Sequence, residues 1–499
     1  MLDTPSALEP EIPTSLSNQH YDLIIVGAGV CGLNALYVAT KYLPATARIA
    51  LIERRDAAAG MWQSTYDYVR LHQPHPMFTV GNMAWDLDQP RQYLARGAEV
   101  RDHLQSCLAK LKYKLRLDEF YGHVSDDIEE VASQGGHIVR TNIKPVVGGP
   151  AQTLTADRAI YAAGYAISEM QPLECSSDNV ISTAPGGLPE TLADNPGAPV
   201  YVIGGGKTSM DTVMSVMADN GSHQINVING PGTYFINRNN VFPLGMGRWS
   251  SGSLISQSFA DLALKFDGTN ESELNEYAFH HYGICPTGTP GQSMFGILSE
   301  EEGSQIKEGI EEIIPGYLED VIDTANGPKM IMRDGSRVTV PDGAIFVNCT
   351  GCYFHDHPNA LDRPCVSRHG RLITITKKDS LHFMTSVAGY FLTHIMFLGK
   401  HQSVPLYAID AEALNKKSRH AYFAADATQI YLNLMLWSRN MPMNVLLNCG
   451  LDLDRWFPLP RRAAAALGML AKSNAHMAHC RASLDKVADV HGVTCRPIC

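Results

Sequence analysis

Short apolar runs, glycine-rich turns and segments of helical period alternate along the chain. Tyr21-Asp-Leu-Ile-Ile-Val26 is a near-continuous apolar run, not an alternating one, and it ends in glycines. Such a run predicts a parallel strand covered on both faces, with a helix to follow. The same succession recurs at Val200-Tyr-Val-Ile203, so that Gly27 and Gly204 open equivalent turns 177 positions apart. Ile49-Ala-Leu-Ile-Glu53 and Gln224-Ile-Asn-Val-Ile-Asn229 supply the next strand of each unit. The expected fold is α/β, with two Rossmann-like dinucleotide-binding domains.

Phe242 to Gly316 breaks this rhythm with clusters such as Gly245-Met-Gly-Arg-Trp-Ser-Ser-Gly252, then becomes acidic and helical around Glu300 to Glu312. It reads as an insertion, 242–316, in a second nucleotide domain spanning 195–340. That domain is itself inserted between two parts of the first, 21–165 and 341–400. Residues 1–20, with three prolines among Ser, Thr and Asn, read as a flexible arm. The region 401–499 is helical in period, most clearly over Ala411 to Trp437 and Arg461 to Asp485. These terminal helices would cover a substrate pocket or form a homo-oligomer interface, and the pattern leaves both open.

Gly27-Ala28-Gly29-Val-Cys31-Gly32 follows the first strand directly. Gly27 permits the tight turn, Gly29 the approach of a pyrophosphate, and Gly32 close packing of helix on strand. The pyrophosphate would rest at the helix N-terminus, where free N–H groups and the helix dipole favour anions. Glu53 ends the second strand 21 residues after Gly32, a spacing suited to a ribose hydroxyl. FAD and NAD both satisfy this unit. In the second unit, Gly204-Gly-Gly206-Lys207-Thr208-Ser209-Met-Asp211 puts the small Ser209 where a third glycine would stand. Its following strand ends without a carboxylate, which would repel a 2′-phosphate; with Lys207 and Arg238 nearby, this favours NADPH over NADH.

These residues resemble the flavin-containing monooxygenase family. Glu53 is followed by Gly60-Met61-Trp62, similar to that family's Gly-Gly-x-Trp with Ala59 in the place of the first glycine. Gly204 to Asp211 is similar to its Gly-x-Gly-x-Ser-x-x-Asp, with Thr208 in the serine place. Asp157 to Tyr165, containing Ala163 and Gly164, and Asp342 to Gly351, containing Thr350, resemble the two strands that run between the nucleotide domains. The resemblance spans Tyr21 to Gly351 and, in outline, Ile395-Met-Phe-Leu-Gly399. One element departs from it: Glu174 to Pro199 holds no histidine, whereas the family's monooxygenases usually carry Phe-x-Gly-x-x-x-His there.

The resemblance implies that FAD and NADPH bind. FAD would be reduced by NADPH and, with dioxygen, form a flavin C4a-peroxide that oxygenates a small organic substrate. Ala28, Cys31, Arg54, Met61, Trp62, Ala163, Gly164, Thr350 and Gly351 join the motif glycines, Glu53, Lys207, Thr208, Ser209, Asp211 and Arg238 as expected cofactor contacts. Arg70-Leu-His72-Gln73-Pro-His-Pro76 aligns with the segment near the flavin's reacting edge, making Gln73 the first catalytic candidate and His72 the second. Met77-Phe78 and Trp85 would help to keep the pocket dry.

Composition narrows the alternatives. With 499 residues, 45% of them hydrophobic, the chain can bury a large core, and its formal net charge of −11 argues against a nucleic-acid partner. No apolar run approaches the roughly 18 residues of a membrane span, and Met1 to His20 lacks a secretory pattern, so a cytoplasmic protein is expected. The 11 cysteines form no regular framework. Cys349-Thr-Gly-Cys352 and the terminal Cys495 and Cys499 keep a disulfide reductase in view as a rival, and a non-catalytic nucleotide sensor is the third reading. Cys352, His355 and His357 are too few for a structural zinc site, and no metal is expected.

Overall fold

The computed structural model describes residues 20–164, 170–351, 365–375 and 385–497. The expected N-terminal arm, save His20, lies outside these residues, as do Tyr165, Cys352, His355, His357 and Cys499. Leu23–Val26 is buried throughout because it is the central strand of a five-stranded parallel sheet. The order is Leu372–Thr374, Ala159–Tyr161, Leu23–Val26, Arg48–Glu53 and Arg116–Tyr121. Side chains along a strand point alternately to opposite faces. Leu23 and Ile25 therefore enter one core with the helix Val30–Ala39, while Ile24 and Val26 enter another. That second core is shared with Ile128, Val139, Ile143 and Leu154 of an antiparallel sheet, His123–Ser133, Gly136–Pro145 and Gln152–Ala156.

The second unit repeats this plan. Its parallel sheet runs Glu312–Ile314, Ile225–Ile228, Val200–Ile203, Ile345–Asn348 and Ile181–Thr183. Val200 and Val202 pack with Met210, Val213 and Val216 of the helix Lys207–Ala218. Tyr201 and Ile203 pack on Val321, Met330 and Met332 of the meander Leu318–Thr324, Gly327–Met332 and Arg337–Thr339. Ile345–Asn348 lies inside the stretch expected from 341 onward to belong to the first domain. It pairs instead with Val200–Ile203, and the chain rejoins the first sheet at Leu372–Thr374. The glycine ending of that run is common to both sheets, so only the pairing reveals which sheet it joins.

Within 242–316 the irregular-looking sequence holds the helices Ile255–Lys265 and Glu271–Tyr282. It also holds the strand Gln292–Leu298, which pairs in parallel with Thr233–Asn237. In the C-terminal region, the helical stretch expected from Ala411 to Trp437 is two helices, Ala411–Lys417 and Arg419–Asn440. Ser418 separates them in an extended conformation and caps the second by accepting the Ala421 N–H. The long helix Leu459–His491 begins beside prolines and stops at Gly492, whose φ of 57° is left-handed. Arg419–Asn440 packs against Ile255–Lys265, Glu271–Tyr282 and Leu459–His491, so the terminal helices lie on the insertion. Among the described residues, no helix is long and apolar enough to cross a membrane.

Candidate functional site

The carboxyl ends of both parallel sheets open on one cleft of about 2060 Å³. Ordinary ligand pockets measure roughly 300–1,000 Å³, so this one has room for more than one large ligand. Gly27, Gly29, Cys31, Glu53, Arg54, Met61, Trp62, Ala163 and Gly164 line it from the first unit. Gly204, Gly206, Lys207, Thr208, Asp211, Thr350 and Gly351 line it from the second, and His72 and Gln73 line it as well.

The first turn is held by close backbone contact. Gly27 has a φ of 100°, and a Cβ there would lie 2.3 Å from the Ala162 carbonyl oxygen. Gly32 stands behind the cleft: its Cβ would lie 1.8 Å from the Gly27 oxygen, so it serves packing. Gly29 N-caps Val30–Ala39 with no side-chain hydrogen bond, and no acid occupies that helix's first turn. Gly206 stands in the same way before Lys207–Ala218, and a Cβ on it would meet nothing within 4 Å. Elsewhere, Ser299 and Ser418 cap their helices with their own hydroxyls. Two helix N-termini without side-chain caps, both opening on the cleft, suit phosphate groups.

Glu53 is buried, and its two oxygens accept the Ala28 N–H at 2.8 Å and the Arg55 N–H at 3.0 Å. Each carboxylate oxygen retains a second acceptor site, which a ribose hydroxyl can use. Ala28 itself is fully buried and acts through that backbone N–H. Ser209 is likewise buried, as a packing residue would be. These residues fit FAD in the first unit and a second dinucleotide in the other.

Two expected basic contacts are otherwise engaged. Arg238 is not among the cleft-lining residues; its guanidinium donates to Glu302 at 2.7 Å and to the His72 carbonyl at 2.8 Å. Glu302 thus neutralises the charge that sequence proximity had offered to a 2′-phosphate. Although burial acts in the opposite direction, Arg238, the Ser299 N–H and Lys207 hold the Glu302 carboxyl below its ordinary range. Lys207 reaches the cleft but is paired with Asp211 one helical turn on.

His72 lies where the two units meet. Burial, reinforced by the Lys207 and Arg238 charges, pushes its imidazole down to about 3, so it is neutral at ordinary pH. It can donate or accept a hydrogen bond there but holds no charge. Two residues that the sequence did not single out tie the units together. The Tyr66 hydroxyl donates to Asp211 at 3.3 Å, and the Tyr68 hydroxyl lies 3.0 Å from that of Thr212. Their aperiodic Ser-Thr-Tyr-Asp-Tyr setting gives no signal of this. The histidine-free stretch puts Thr183, Ala184, Pro185, Gly186 and Gly187 on the cleft wall.

Cys349 is buried, its thiol is 3.3 Å from the Thr212 hydroxyl, and burial pushes it up to about 12. Such a thiol stays protonated and is a poor nucleophile, which removes support from a dithiol centre at this position. Burial likewise pushes Cys495 up to about 12.

No family model matches the chain. It is similar to the FAD-containing monooxygenase EthA of Mycobacterium tuberculosis, 23% identical over 226 residues, which cover 44% of this chain and 44% of EthA. The chain therefore spans less than half the length of this curated relative. Among solved structures, it is similar to the FAD-bound cadaverine monooxygenase DfoA of Erwinia amylovora. That match has a TM-score of 0.51 at 13% identity, covering 77% of this chain and 95% of DfoA. A steroid monooxygenase bound to NADP matches with a TM-score of 0.50 at 13% identity, covering 81% of this chain and 92% of that one. The fold is that of these two-dinucleotide-domain flavoproteins, and the resemblance to flavin-containing monooxygenases holds in sequence and in architecture.

Proposed function

We propose that this protein is an FAD-dependent monooxygenase that consumes NADPH and transfers oxygen to a small organic substrate in a cytosolic setting. The observation that carries this reading is the convergence of two uncapped, glycine-walled helix N-termini on a single cleft. Bound FAD would accept a hydride from NADPH and activate dioxygen. The chain supplies positions for both nucleotides. Backbone N–H groups beyond Gly29 and Gly206 would hold the phosphates, Glu53 would hold the ribose of FAD, and Asn229, just past the strand Ile225–Ile228, would lie beside the second nucleotide. Neutral His72 and Gln73 offer hydrogen bonds without placing a charge in the cleft. Trp62 and Phe78, whose rings meet edge to face with centroids 5.8 Å apart, exclude water from the adjoining wall.

The test starts with the purified yellow protein under nitrogen. One equivalent of NADPH should bleach the flavin's visible absorbance. Admission of labelled dioxygen with methyl phenyl sulfide should then yield sulfoxide carrying the label, with little hydrogen peroxide released. Bleaching followed only by peroxide release would leave a reductase or oxidase. Absence of bleaching would remove the hydride route altogether.

A further inference from the structure

Three non-glycine residues among those described have a positive φ, and one of them, Phe295, lines the cleft with a φ of 56°. A bulky side chain rarely adopts this conformation, and such strain persists only where the surroundings enforce it. Here a strand irregularity enforces it. Between the pairs Tyr234–Ser293 and Ile236–Ile297, one strand has a single intervening residue and the other has three, Met294 to Gly296. The extra residues form a bulge that carries Phe295, steadied by a hydrogen bond from the Phe295 N–H to the Ser293 hydroxyl at 3.2 Å. Gly296 permits the loop to lie close: a Cβ there would be 2.8 Å from the Phe235 ring and 3.7 Å from Lys207 at the second nucleotide turn.

The bulge delivers the ring to a defined place. Phe295 stacks on the buried Phe423, with centroids 5.0 Å apart and planes at 29°, and lies 6.2 Å from Phe259. Phe259 and Phe295 are only partly buried and line the cleft, with Ile255, Ile297 and Ile430 beside them. Here Phe423 backs the Phe295 ring while Phe295 itself remains on the cleft wall.

We propose that Phe295 and Phe259 form the docking wall for a substrate with a ring or a comparably bulky hydrocarbon part, beside the second nucleotide. This rests on the monooxygenase reading above, whose substrate class it narrows. A small, strongly hydrated substrate would gain nothing from such a wall, whereas an apolar ring gains both area burial and ring–ring contact.

The test is calorimetric binding of methyl phenyl sulfide and of dimethyl sulfide to the FAD-loaded protein, without turnover. Phe295→Gly suits the left-handed backbone, so it removes the ring without adding strain. It should weaken methyl phenyl sulfide about tenfold, the value of one lost aromatic contact, and leave dimethyl sulfide within about twofold. Phe259→Leu, in an ordinary helix, keeps bulk and loses the ring; a loss of about threefold for the same probe is expected. Equal affinity for the phenyl probe in wild type and both variants, no binding of it to the wild type, or parallel loss of both sulfides would overturn the proposal. Failure of wild-type bleaching would instead strike the underlying monooxygenase reading.

Discussion

The two nucleotide units share the backbone hydrogen bonds of their glycine turns and differ in side chains, two of which, at the third motif position and at the end of the following strand, bear on what each unit can hold. Gly27 N–H donates to the Ile52 carbonyl at 2.7 Å, and Gly204 N–H to that of Ile228 at 2.8 Å. Ala162 N–H donates to Val26 at 2.7 Å, and Cys349 N–H to Ile203 at 2.9 Å. This register makes Asn229 the counterpart of Glu53, and Ser209 the counterpart of Gly32. In the first unit the carboxylate is satisfied by two backbone donors. In the second, the buried Asn229 amide nitrogen has no hydrogen-bond partner among the described residues and lines the cleft. Under the proposed function, the shared backbone would hold a dinucleotide in either place, and the side chain at the strand end would help to select which.

Exchanging the packing residues should produce the largest effect. Gly32→Ser copies the second turn into the first, but a Cβ there would sit 1.8 Å from a backbone oxygen that cannot retreat without opening the turn. The purified variant should lose its flavin, read as the ratio of visible to protein absorbance, and should lose stability by about 3 kcal/mol. The reciprocal Ser209→Gly should keep its flavin and change the NADPH KM by less than about threefold, because it only removes a small side chain. If Gly32→Ser stayed fully yellow, the first unit would not be the tighter of the two.

Next comes the strand-end pair. Asn229→Asp places a carboxylate where Glu53 stands in the first unit. It should raise the KM for NADPH about tenfold, the effect of roughly 1.4 kcal/mol of repulsion toward a 2′-phosphate, with a smaller change for NADH. Steady-state kinetics with both coenzymes gives the answer. Equal shifts for NADPH and NADH would mean that Asn229 does not face the ribose.

How much of this was legible in the sequence follows from what fixes each feature. Both glycine turns were readable because positive φ and backbone contact at Gly27 and Gly204 leave no other residue type suitable. The strands were readable because both of their faces are covered, which makes them continuously apolar. Arg238 was misjudged because its partner Glu302 arrives 64 residues later, after a helical insertion whose course no periodicity reveals. Tyr66, Tyr68 and Phe295 carry no motif at all. Their positions depend on how one domain meets another, or on a strand with two extra residues, and only the assembled chain contains that information.

The smallest expected effect concerns the seam between the units, where His72 faces Lys207 and Arg238. Its folded pKa is lowered from 6.5 to about 3, chiefly by burial. Below pH 6.5 the unfolded chain binds a proton at this residue that the folded chain refuses until about pH 3. Stability is therefore complete above 6.5 and is lost progressively as pH falls through that window. His72→Gln removes the difference, so the variant should gain on wild type by about 2 kcal/mol at pH 5 and by nothing at pH 8. Denaturant melts at the two pH values measure this. Because the imidazole is already neutral from pH 5 upward, the same variant should leave the shape of the activity profile between about pH 5 and 9 unchanged. A lost ionisation near neutrality in that profile would show that His72 is charged in the working enzyme, and that the seam is wetter and less positive than its packing against Lys207 and Arg238 implies.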